Sequence, residues 1–338
     1  MQIKAQTRKR ILSWCGITLL GGIIGVSYSL WVGGNPGLAF TAACILTGAV
    51  FGFELFYVYR PAGIWLRSLP LPLFLAVSSL IWIIIVGTSL QVVPLFFGFD
   101  QAYGDTYSAS TFTQDMSFAL IIIFIVNSVL RIRSLIGSRV LKNFMIGRYH
   151  RPLREQRVFM FLDLANSTPL SEELGDIRVQ SLIGRFFFDI AQPIAEYGGE
   201  THRYIGDEVV VTWSLTEATK DNRCIECVFA IQSTIARLAV EYQSEFGVIP
   251  EFRIGMHGGS VVASEVGDDK REIVYFGDTV NTAARLQGLC KEKHTNFLIS
   301  DHLLNLLPYS DLHQKEYMGE VDLRGKSKLM KVYSLVRS

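Results

Sequence analysis

The sequence predicts an α-helical membrane domain with four transmembrane helices, followed by an α+β domain with a central, mostly antiparallel sheet. Long apolar runs with at most one charged residue are confined to residues 1–130, and short β-prone runs alternate with helical patterns over residues 158–338. Residues 131–157 are rich in arginine and join the two parts. The net charge of +1 lacks the basic excess of a nucleic-acid binder, so we expect no nucleic-acid partner.

Four apolar runs define the predicted membrane domain, and a span takes about 20 residues. They are Ile11 to Trp31, Leu38 to Tyr59, Leu69 to Phe97, and Met116 to about Leu130. A basic start before an apolar run also fits a signal peptide, but no small-residue cleavage pattern follows and three further runs do. Basic residues occupy the N-terminal tail, the second loop with Arg60 and Arg67, and the segment after Leu130, whereas the loop from Gly98 to Asp115 carries acidic residues and no Lys or Arg. This distribution predicts a multi-pass protein of the cell membrane, with both termini in the cytoplasm.

Two features near the membrane have alternative interpretations. Glu54 is the one acidic residue inside a predicted span, and nearby Arg60 favours a structural ion pair over a sensing or transport role. Residues 131–157 interleave arginines with apolar residues, which is typical of a helix that lies on anionic lipid. The same segment could pair with its copy in a dimer and transmit a change; Gly147 and Pro152 predict where its helix ends.

The α+β domain is predicted from the order of its patterns. In chain order they are strand 158–163, helix 169–196, a hairpin across Gly206-Asp207, helix 218–246, strands 251–256, 260–265 and 273–276, helix 279–289, strand 297–300, and strands near 319–324 and 331–336. The five cysteines form no framework, and Cys224 and Cys227 are expected to pack in the core rather than bind zinc.

A strand, a turn and a helix follow one another over residues 273–289. Asp278 or Thr279 can cap the new helix. Asn281 and Arg285 are four residues apart, so they share one helical face. An amide beside a guanidinium suits a polyanion such as a triphosphate, although an ordinary helix with a polar outer face gives the same pattern.

Two aspartates are placed where strands end. Asp163 closes the apolar run from Val158, and Asp207 lies in a Gly-Asp turn between two β-prone runs. On the ends of neighbouring strands they would form an oxygen-only site for Mg²⁺ or Mn²⁺. Thr168 and Pro169 then signal a helix start, whose backbone N–H groups can bind phosphate.

Three motifs together resemble the class III adenylate/guanylate cyclase catalytic domain. They are Phe161-Leu-Asp163-Leu-Ala-Asn-Ser167-Thr168, Ile205-Gly-Asp207 and Gly277-Asp-Thr-Val-Asn281-Thr-Ala-Ala-Arg285. The similarity runs from about Arg157 to the C-terminus. It implies a ferredoxin-like palm with a βαββαβ core. It also implies a membrane-bound adenylate cyclase that converts ATP to 3′,5′-cyclic AMP and pyrophosphate for intracellular signalling.

The resemblance assigns expected roles to single residues. Asp163 and Asp207 would hold two Mg²⁺ or Mn²⁺ ions per site. Asn281 would orient the ribose, and Arg285 would stabilise charge on the α-phosphoryl group. The expected substrate-binding residues are Leu164, Ser167, Thr168, Arg203, Val274, Arg324 and Lys326. The family further implies a head-to-tail homodimer, in which the aspartates of one chain meet the Asn and Arg of the other.

Base recognition departs from the family pattern. Adenylate cyclases usually have Lys where this chain has Arg203, and Asp or Thr where it has Val274. A cationic Arg203 can donate to adenine N1 but repels the N–H donors of guanine, so ATP is favoured over GTP. Val274 cannot bind the amino group of adenine, and Glu272 is a nearby substitute.

Three other functions remain open. The chain could be a guanylate cyclase, or a membrane receptor whose cyclase-like domain is inactive and only binds nucleotide or dimerises. The turn Gly206-Asp207-Glu208 also resembles that of diguanylate cyclases, which lack the downstream Asn281 and Arg285 helix. Both aspartates together with Asn281 and Arg285 favour the active adenylate cyclase.

Overall fold

The computed structural model describes residues 2–33, 35–58, 64–67, 69–97, 109–137, 143–308, 313–322 and 329–337. The chain divides into two compact units, residues 1–141 and 142–338.

The N-terminal unit is helical. Its helices are α1 (Gln2–Val32), α2 (Pro36–Phe53), α3 (Ile64–Arg67), α4 (Leu71–Phe97) and α5 (Ala109–Ile136), and α2 continues as one π-helical turn, Glu54–Val58. The side chain of Asn35 caps α2 by accepting from the backbone N–H groups of Gly37 and Leu38. A Cβ on Gly25 would lie 2.8 Å from the carbonyl oxygen of Ala39, so α1 and α2 approach closely at a small residue.

Helices occupy all four predicted apolar runs, but their support for membrane spans differs. Within the described residues, Ile11–Val32 and Pro36–Val58 are long and apolar enough to cross a bilayer, whereas Ala76–Thr88 and Thr113–Val126 are shorter. Length and composition alone make this weak support for membrane anchoring, and four spans stay a prediction.

Two details of the membrane prediction can be compared with the structure. The predicted loop from Gly98 to Asp115 was too long, because α5 begins at Ala109. Asp115 therefore lies within this helix, where it accepts a hydrogen bond from the Tyr28 hydroxyl at 2.8 Å. Glu54 is buried, and Arg60, its predicted ion-pair partner, lies outside the described residues.

One mixed sheet organises the C-terminal unit. Its strands are β1 (Leu153–Leu164), β2 (Glu200–Ile205), β3 (Glu208–Ser214), β4 (Phe252–Val266), β5 (Glu272–Phe276), β6 (Phe297–Ser300), β7 (His313–Val321) and β8 (Met330–Arg337). The order is β2-β3-β1-β4-β6-β8-β7, with β5 paired to the far end of β4. The pair β4–β6 is parallel and the other described pairs are antiparallel.

The helices of this unit connect the strands. They are α6 (Ser167–Leu174), α7 (Asp176–Glu196), α8 (Leu215–Thr219), α9 (Arg223–Arg237), α10 (Ala239–Phe246), α11 (Asp278–Leu289) and α12 (Asp301–Leu304). The first four strands and their helices follow the predicted βαββαβ order, with β1 between β3 and β4.

Several element boundaries differ from the prediction. Gly175, with φ of 79°, separates α6 from α7, and positive φ values at Asp221 and Asn222 interrupt the predicted helix 218–246, which breaks again at Leu238. The strands predicted at 251–256 and 260–265 are one strand, β4. Its central Gly258 and Gly259 leave space for the side chains of neighbouring elements rather than for a turn.

The sheet has a different cover on each face. Alternate β1 residues, including Val158, Met160 and Leu162, pack against buried residues of α7 and α9. Phe159 and Phe161 face the other side and pack near Ala283 of α11. Since Asp163 continues this second set along the strand, it lies on the α11 side of the sheet.

The three cysteines of the C-terminal unit are buried, whereas Cys15 and Cys44 lie on α1 and α2. Burial raises the pKa of the Cys224 and Cys290 thiols to about 12. Their position in the core agrees with the packing role predicted for Cys224 and Cys227.

Candidate functional site

Asp163 and Asp207 meet where the end of β1 lies beside the turn of the β2–β3 hairpin. Asp163 is the penultimate residue of β1, where it lies opposite Glu208 on β3 and Arg253 on β4. Asp207 occupies the tight turn between β2 and β3. The backbone N–H of Leu164 donates to the carbonyl oxygen of Asp207 at 3.4 Å, which ties the end of β1 to this turn.

The carboxyl groups of Asp163, Asp207 and Glu208 lie close enough together to raise the pKa values of two of them. Burial, followed by the charge of Asp207, raises the pKa of Asp163 to about 6. Burial and the charges of Asp163 and Asp207 raise the pKa of Glu208 to about 7. Negative charge at this position is therefore costly without a cation.

Glu208 was not predicted as part of the site. It faces Asp163 because paired residues on adjacent strands point to the same side of a sheet. The hairpin at Gly206-Asp207 was visible in the sequence, but the register between β1 and β3 was not.

The predicted phosphate-binding residues follow β1 directly. Leu164 is buried, and helix α6 begins at Ser167, with Thr168 in its first turn. Asn166 adopts a left-handed conformation, with φ of 60°, that turns the chain into the helix. The N-terminus of α6 thus follows the end of β1 after two residues, and the helix begins two residues earlier than the start predicted from Thr168 and Pro169.

Helix α11 carries Asn281 and Arg285 on its exposed side. The predicted cap by Asp278 or Thr279 was wrong. Gly277 is the N-cap, and the hydroxyl of Thr279 instead donates to the carbonyl oxygen of Ser260 at 2.9 Å. This bond fixes the start of the helix on β4.

The opposite side of α11 contacts Asp163. Gln287 is buried, and its Nε2 donates to Oδ2 of Asp163 at 3.2 Å. No sequence signal identified Gln287, because the contact joins residues 124 positions apart and depends on how the helix packs on the sheet.

The expected base-recognition residues are brought together by β2 and β5. Arg203 on β2 forms an ion pair with Glu272 on β5, and Lys270 pairs with the other carboxylate oxygen of Glu272 at 2.7 Å. Val274 lies further along β5, opposite Ser264 of β4. Arg324 and Lys326 lie outside the described residues.

A buried arginine joins the same two strands. Arg157 is only 4% exposed. Its guanidinium binds Glu200 of β2 at 2.9 Å and lies 4.9 Å from the ring centre of Tyr275 of β5. Beside it, burial lowers the pKa of His202 to about 4, so that this imidazole is neutral at pH 7.

Glu155 of β1 links this arginine to the segment that precedes the strand. Glu155 binds Arg157 at 3.2 Å and also accepts from Arg148 and from the hydroxyl of Tyr149, at 2.8 and 3.0 Å. The strands that carry Arg203 and Glu272 therefore share a polar network, centred on buried Arg157, with residues 148–157.

Comparison with known proteins identifies the family. Residues 152–337 match the model of the adenylate and guanylate cyclase catalytic domain. The chain is 36% identical to adenylate cyclase 2 of Rhizobium meliloti (strain 1021), over 92% of this chain and 86% of that protein. The chain belongs to the class III adenylate/guanylate cyclase family.

Other relatives include both kinds of cyclase. The chain is 29% identical to the receptor-type guanylate cyclase gcy-28 of Caenorhabditis elegans, over 49% of this chain and 13% of that protein. A solved bacterial light-regulated adenylyl cyclase has a TM-score of 0.56 and 19% identity, covering 69% of this chain and 67% of that one. At this identity the likeness concerns the fold alone.

The family uses divalent metal ions, and the donor set at Asp163 and Asp207 fits them. The two carboxyl groups offer oxygen atoms of the kind these ions prefer, and burial followed by the charge of Asp207 raises the pKa of Asp163. Among the described residues, no group of three or more His, Cys, Asp or Glu side chains is arranged as a metal site. A pair of carboxylates leaves coordination positions for the oxygens of a nucleotide and for water.

Proposed function

We propose that the chain is a membrane-bound adenylate cyclase that converts ATP to 3′,5′-cyclic AMP and pyrophosphate for intracellular signalling. The observation that carries this proposal is the meeting of Asp163 and Asp207, on a sheet whose α11 presents Asn281 and Arg285. The similarity to adenylate cyclase 2 of Rhizobium meliloti supports the choice of reaction.

The reaction joins the ribose 3′-oxygen to the α-phosphorus and releases pyrophosphate. A proton leaves the 3′-hydroxyl, and negative charge builds on the α-phosphoryl group and on the leaving group. Asp163 and Asp207 would hold two Mg²⁺ or Mn²⁺ ions, which when bound lower the pKa of the hydroxyl and neutralise the triphosphate.

The remaining roles belong to side chains and backbone groups of the protein. Asn281 orients the ribose, and Arg285 stabilises charge on the α-phosphoryl group. Ser167 and Thr168 offer backbone N–H groups at the start of α6, where the helix dipole favours phosphate. Arg324 and Lys326 supply positive charge to the triphosphate, and Leu164 lies beside the cation-binding turn.

Adenine matches the pair formed by Arg203 and Glu272. The guanidinium can donate to N1 of adenine, and the carboxylate can accept from the 6-amino group, which Val274 cannot do. Guanine would direct its N1–H at the guanidinium and its O6 at the carboxylate, so both contacts would be unfavourable. We therefore favour ATP over GTP.

The two faces of α11 support a site shared between two chains. Gln287 contacts Asp163 of its own chain, whereas Arg285 is two residues away, roughly on the opposite side of the helix, and is exposed. Asn281 and Arg285 therefore project away from the aspartates of their own chain. A head-to-tail homodimer would bring them to the aspartates of a second chain and form two equivalent sites.

The localisation follows from the charge distribution around the apolar helices. We propose a multi-pass cell-membrane protein whose catalytic unit and termini are cytoplasmic, where ATP is available. Tags at the N-terminus and after Ser338 should resist external protease in intact cells, and a tag between Gly98 and Ala109 should be cleaved. Cleavage of the C-terminal tag would contradict this topology.

One assay tests the reaction. Membranes containing the full chain are supplied with Mn²⁺ and either ATP or GTP, and both cyclic nucleotides are quantified by mass spectrometry. We expect cyclic AMP to form at least about tenfold faster than cyclic GMP, a difference of about 1.4 kcal/mol. Asp163→Asn and Asp207→Asn should each lower the rate by about 100-fold or more.

The same assay separates the alternatives. Cyclic GMP as the main product would assign the chain to the guanylate cyclases, in line with its similarity to gcy-28. Neither product, from a folded protein, would indicate a cyclase-like receptor without activity.

A further inference from the structure

Gln287 is a buried amide whose side chain reaches a carboxylate of the proposed cation site. It is 9% exposed, and its Nε2 lies 3.2 Å from Oδ2 of Asp163. This hydrogen bond satisfies the buried amide donor, and a buried donor left without a partner costs about 1–3 kcal/mol of folding free energy.

The backbone that carries Gln287 is held very close to the sheet. A Cβ on Gly255 would lie 2.1 Å from the backbone nitrogen of Gln287 and 2.4 Å from the carbonyl oxygen of Ala283. A Cβ on Gly259 would lie 2.7 Å from Oγ1 of Thr279, which is about two turns nearer the start of the helix. Helix α11 therefore rests on β4 backbone, and the Gln287 amide projects from a fixed point.

The chemistry of an amide suits this position. Its N–H group donates to one oxygen of Asp163 without adding positive charge, so the carboxylate keeps its full attraction for a cation. A lysine or arginine at the same place would neutralise that charge. The second oxygen of Asp163 stays available to face the same space as Asp207.

We propose that Gln287 is a positioning residue for cation binding, which holds the Asp163 carboxylate in the orientation that receives Mg²⁺ or Mn²⁺ together with the nucleotide. This inference rests on the proposed function, because it takes Asp163 to be a cation ligand. Partners that orient a ligating carboxylate typically contribute 10–100-fold to metal affinity.

Direct Mn²⁺ binding tests the proposal. The full chain, in detergent with a non-cyclisable α,β-methylene ATP, is titrated with Mn²⁺ and free Mn²⁺ is measured by electron paramagnetic resonance. Gln287→Met keeps the size of the side chain and removes the donor, and Gln287→Asn keeps the amide but shortens its reach. Both should raise the Mn²⁺ dissociation constant by about 10–100-fold.

A matched control replaces a glutamine elsewhere. Gln243 on α10 donates through Nε2 to the carbonyl oxygen of Gly247 at 2.9 Å, so Gln243→Met removes a similar bond away from the aspartates. Its Mn²⁺ affinity should equal that of the wild type. In activity assays, added Mn²⁺ should restore most of the turnover of the Gln287 variants, since the ligands themselves are intact.

A double-mutant cycle separates positioning from general damage. In an Asp163→Asn background, Gln287→Met should cause no further loss of Mn²⁺ affinity, because the carboxylate it orients is already gone. Additive losses would contradict the proposal.

The outcomes distinguish this inference from the proposed function. A wild type that neither binds Mn²⁺ nor makes a cyclic nucleotide would overturn both. An active wild type whose folded Gln287 variants bind Mn²⁺ equally well would overturn the inference alone. Unfolding of both variants would assign Gln287 to stability and would also overturn it.

Discussion

Asp163 is the residue at which stability and function oppose each other. Its pKa is raised to about 6 and that of Glu208 to about 7, by burial and by neighbouring negative charge. Acids with a raised folded-state pKa contribute stability that is fully present below the unfolded pKa and is lost as the pH rises through the folded pKa. In the metal-free protein, these two groups therefore reduce stability progressively between about pH 4 and pH 7.

Asp163→Asn should consequently stabilise the metal-free protein while it abolishes turnover. At pH 8 with a chelator, we expect the free energy of unfolding to rise by about 1 kcal/mol, after allowance for solvent screening of a half-buried group. Near pH 4 the gain should largely disappear, since the wild-type carboxyl group is then protonated. Denaturant unfolding measures both values, followed by the fluorescence of buried Trp213 in a protein whose four N-terminal tryptophans are replaced by phenylalanine.

A second aspartate provides the control for this experiment. Asp189 accepts hydrogen bonds from Arg185 and from the hydroxyl of Tyr242, at 2.9 and 2.8 Å. Asp189→Asn should therefore lower stability at pH 8. A loss of stability in Asp163→Asn at pH 8 would contradict the electrostatic description of the site.

Arg203 should decide which base is accepted. Arg203→Glu removes the donor to adenine N1 and introduces a carboxylate that can accept from guanine N–H groups, so the ratio of GTP to ATP turnover should rise by roughly tenfold or more. The ratio is measured from kcat/KM for both nucleotides. Arg271→Glu, which replaces an arginine paired with Glu265, serves as the control and should leave the ratio unchanged. An unchanged ratio in an active Arg203→Glu protein would show that the base is read elsewhere.

Single residues were predictable where local pattern determines their position. Asp163 and Asp207 were found because each lies next to a β-prone run and a turn, and the structure places them together. Glu208 and Gln287 were missed because their roles depend on strand register and on helix packing. Neither property is encoded within a short window of sequence.

At the scale of elements, the contact between α11 and β4 leaves no space for a side chain at Gly255. Gly255→Ala would push a methyl group into the helix backbone, and overpacking typically costs about 1–3 kcal/mol, with backbone contacts at the upper end. We expect a loss of at least about 2 kcal/mol in the free energy of unfolding, together with weaker Mn²⁺ binding, because the helix that carries Gln287 must move.

Gly184 provides the matched control. It lies inside α7, and nothing lies within 4 Å of the Cβ that an alanine would add. Gly184→Ala should therefore stabilise the protein by about 0.5–1 kcal/mol. Equal stabilities for the two variants, measured by denaturant unfolding, would rule out the close packing of α11 on β4.

The elements themselves were predicted unevenly. Strand β6 was predicted with the bounds 297–300 that it has, and α11 differs by one residue at its start. The helical pattern correctly predicted helix within residues 169–196 and 218–246. Such a pattern does not show where a residue with positive φ separates two consecutive helices. Strand β4 was predicted as two strands, 251–256 and 260–265, because a sequence does not show that neighbouring elements fill the space beside Gly258 and Gly259.

At the scale of the whole molecule, the shared-site proposal predicts complementation. Asp163→Ala and Arg285→Ala should each be nearly inactive, since every site in either homodimer lacks one part. Co-expressed, they can form a heterodimer with one site that has all its parts and one that lacks two. Site counting therefore predicts up to about half of the wild-type activity per heterodimer.

The measurement needs two tags and one negative pairing. Heterodimers are isolated through different tags on the two chains, and cyclic AMP formation is assayed on the purified fraction. Asp163→Ala paired with Asp207→Ala should stay inactive, because both changes fall on the same half of the site. Isolated heterodimers of Asp163→Ala and Arg285→Ala with no more activity than the single variants would indicate a site built within one chain.

The burial of the cysteines has a consequence for spectroscopy. Cys224, Cys227 and Cys290 are shielded from reagents and remain thiols rather than thiolates at neutral pH, because burial raises their pKa values. Only Cys15 and Cys44 then need replacement before a spin label or fluorophore is attached to a new cysteine in the catalytic unit. A probe on the exposed face of α11 could follow the approach of a second chain while the native core stays unchanged.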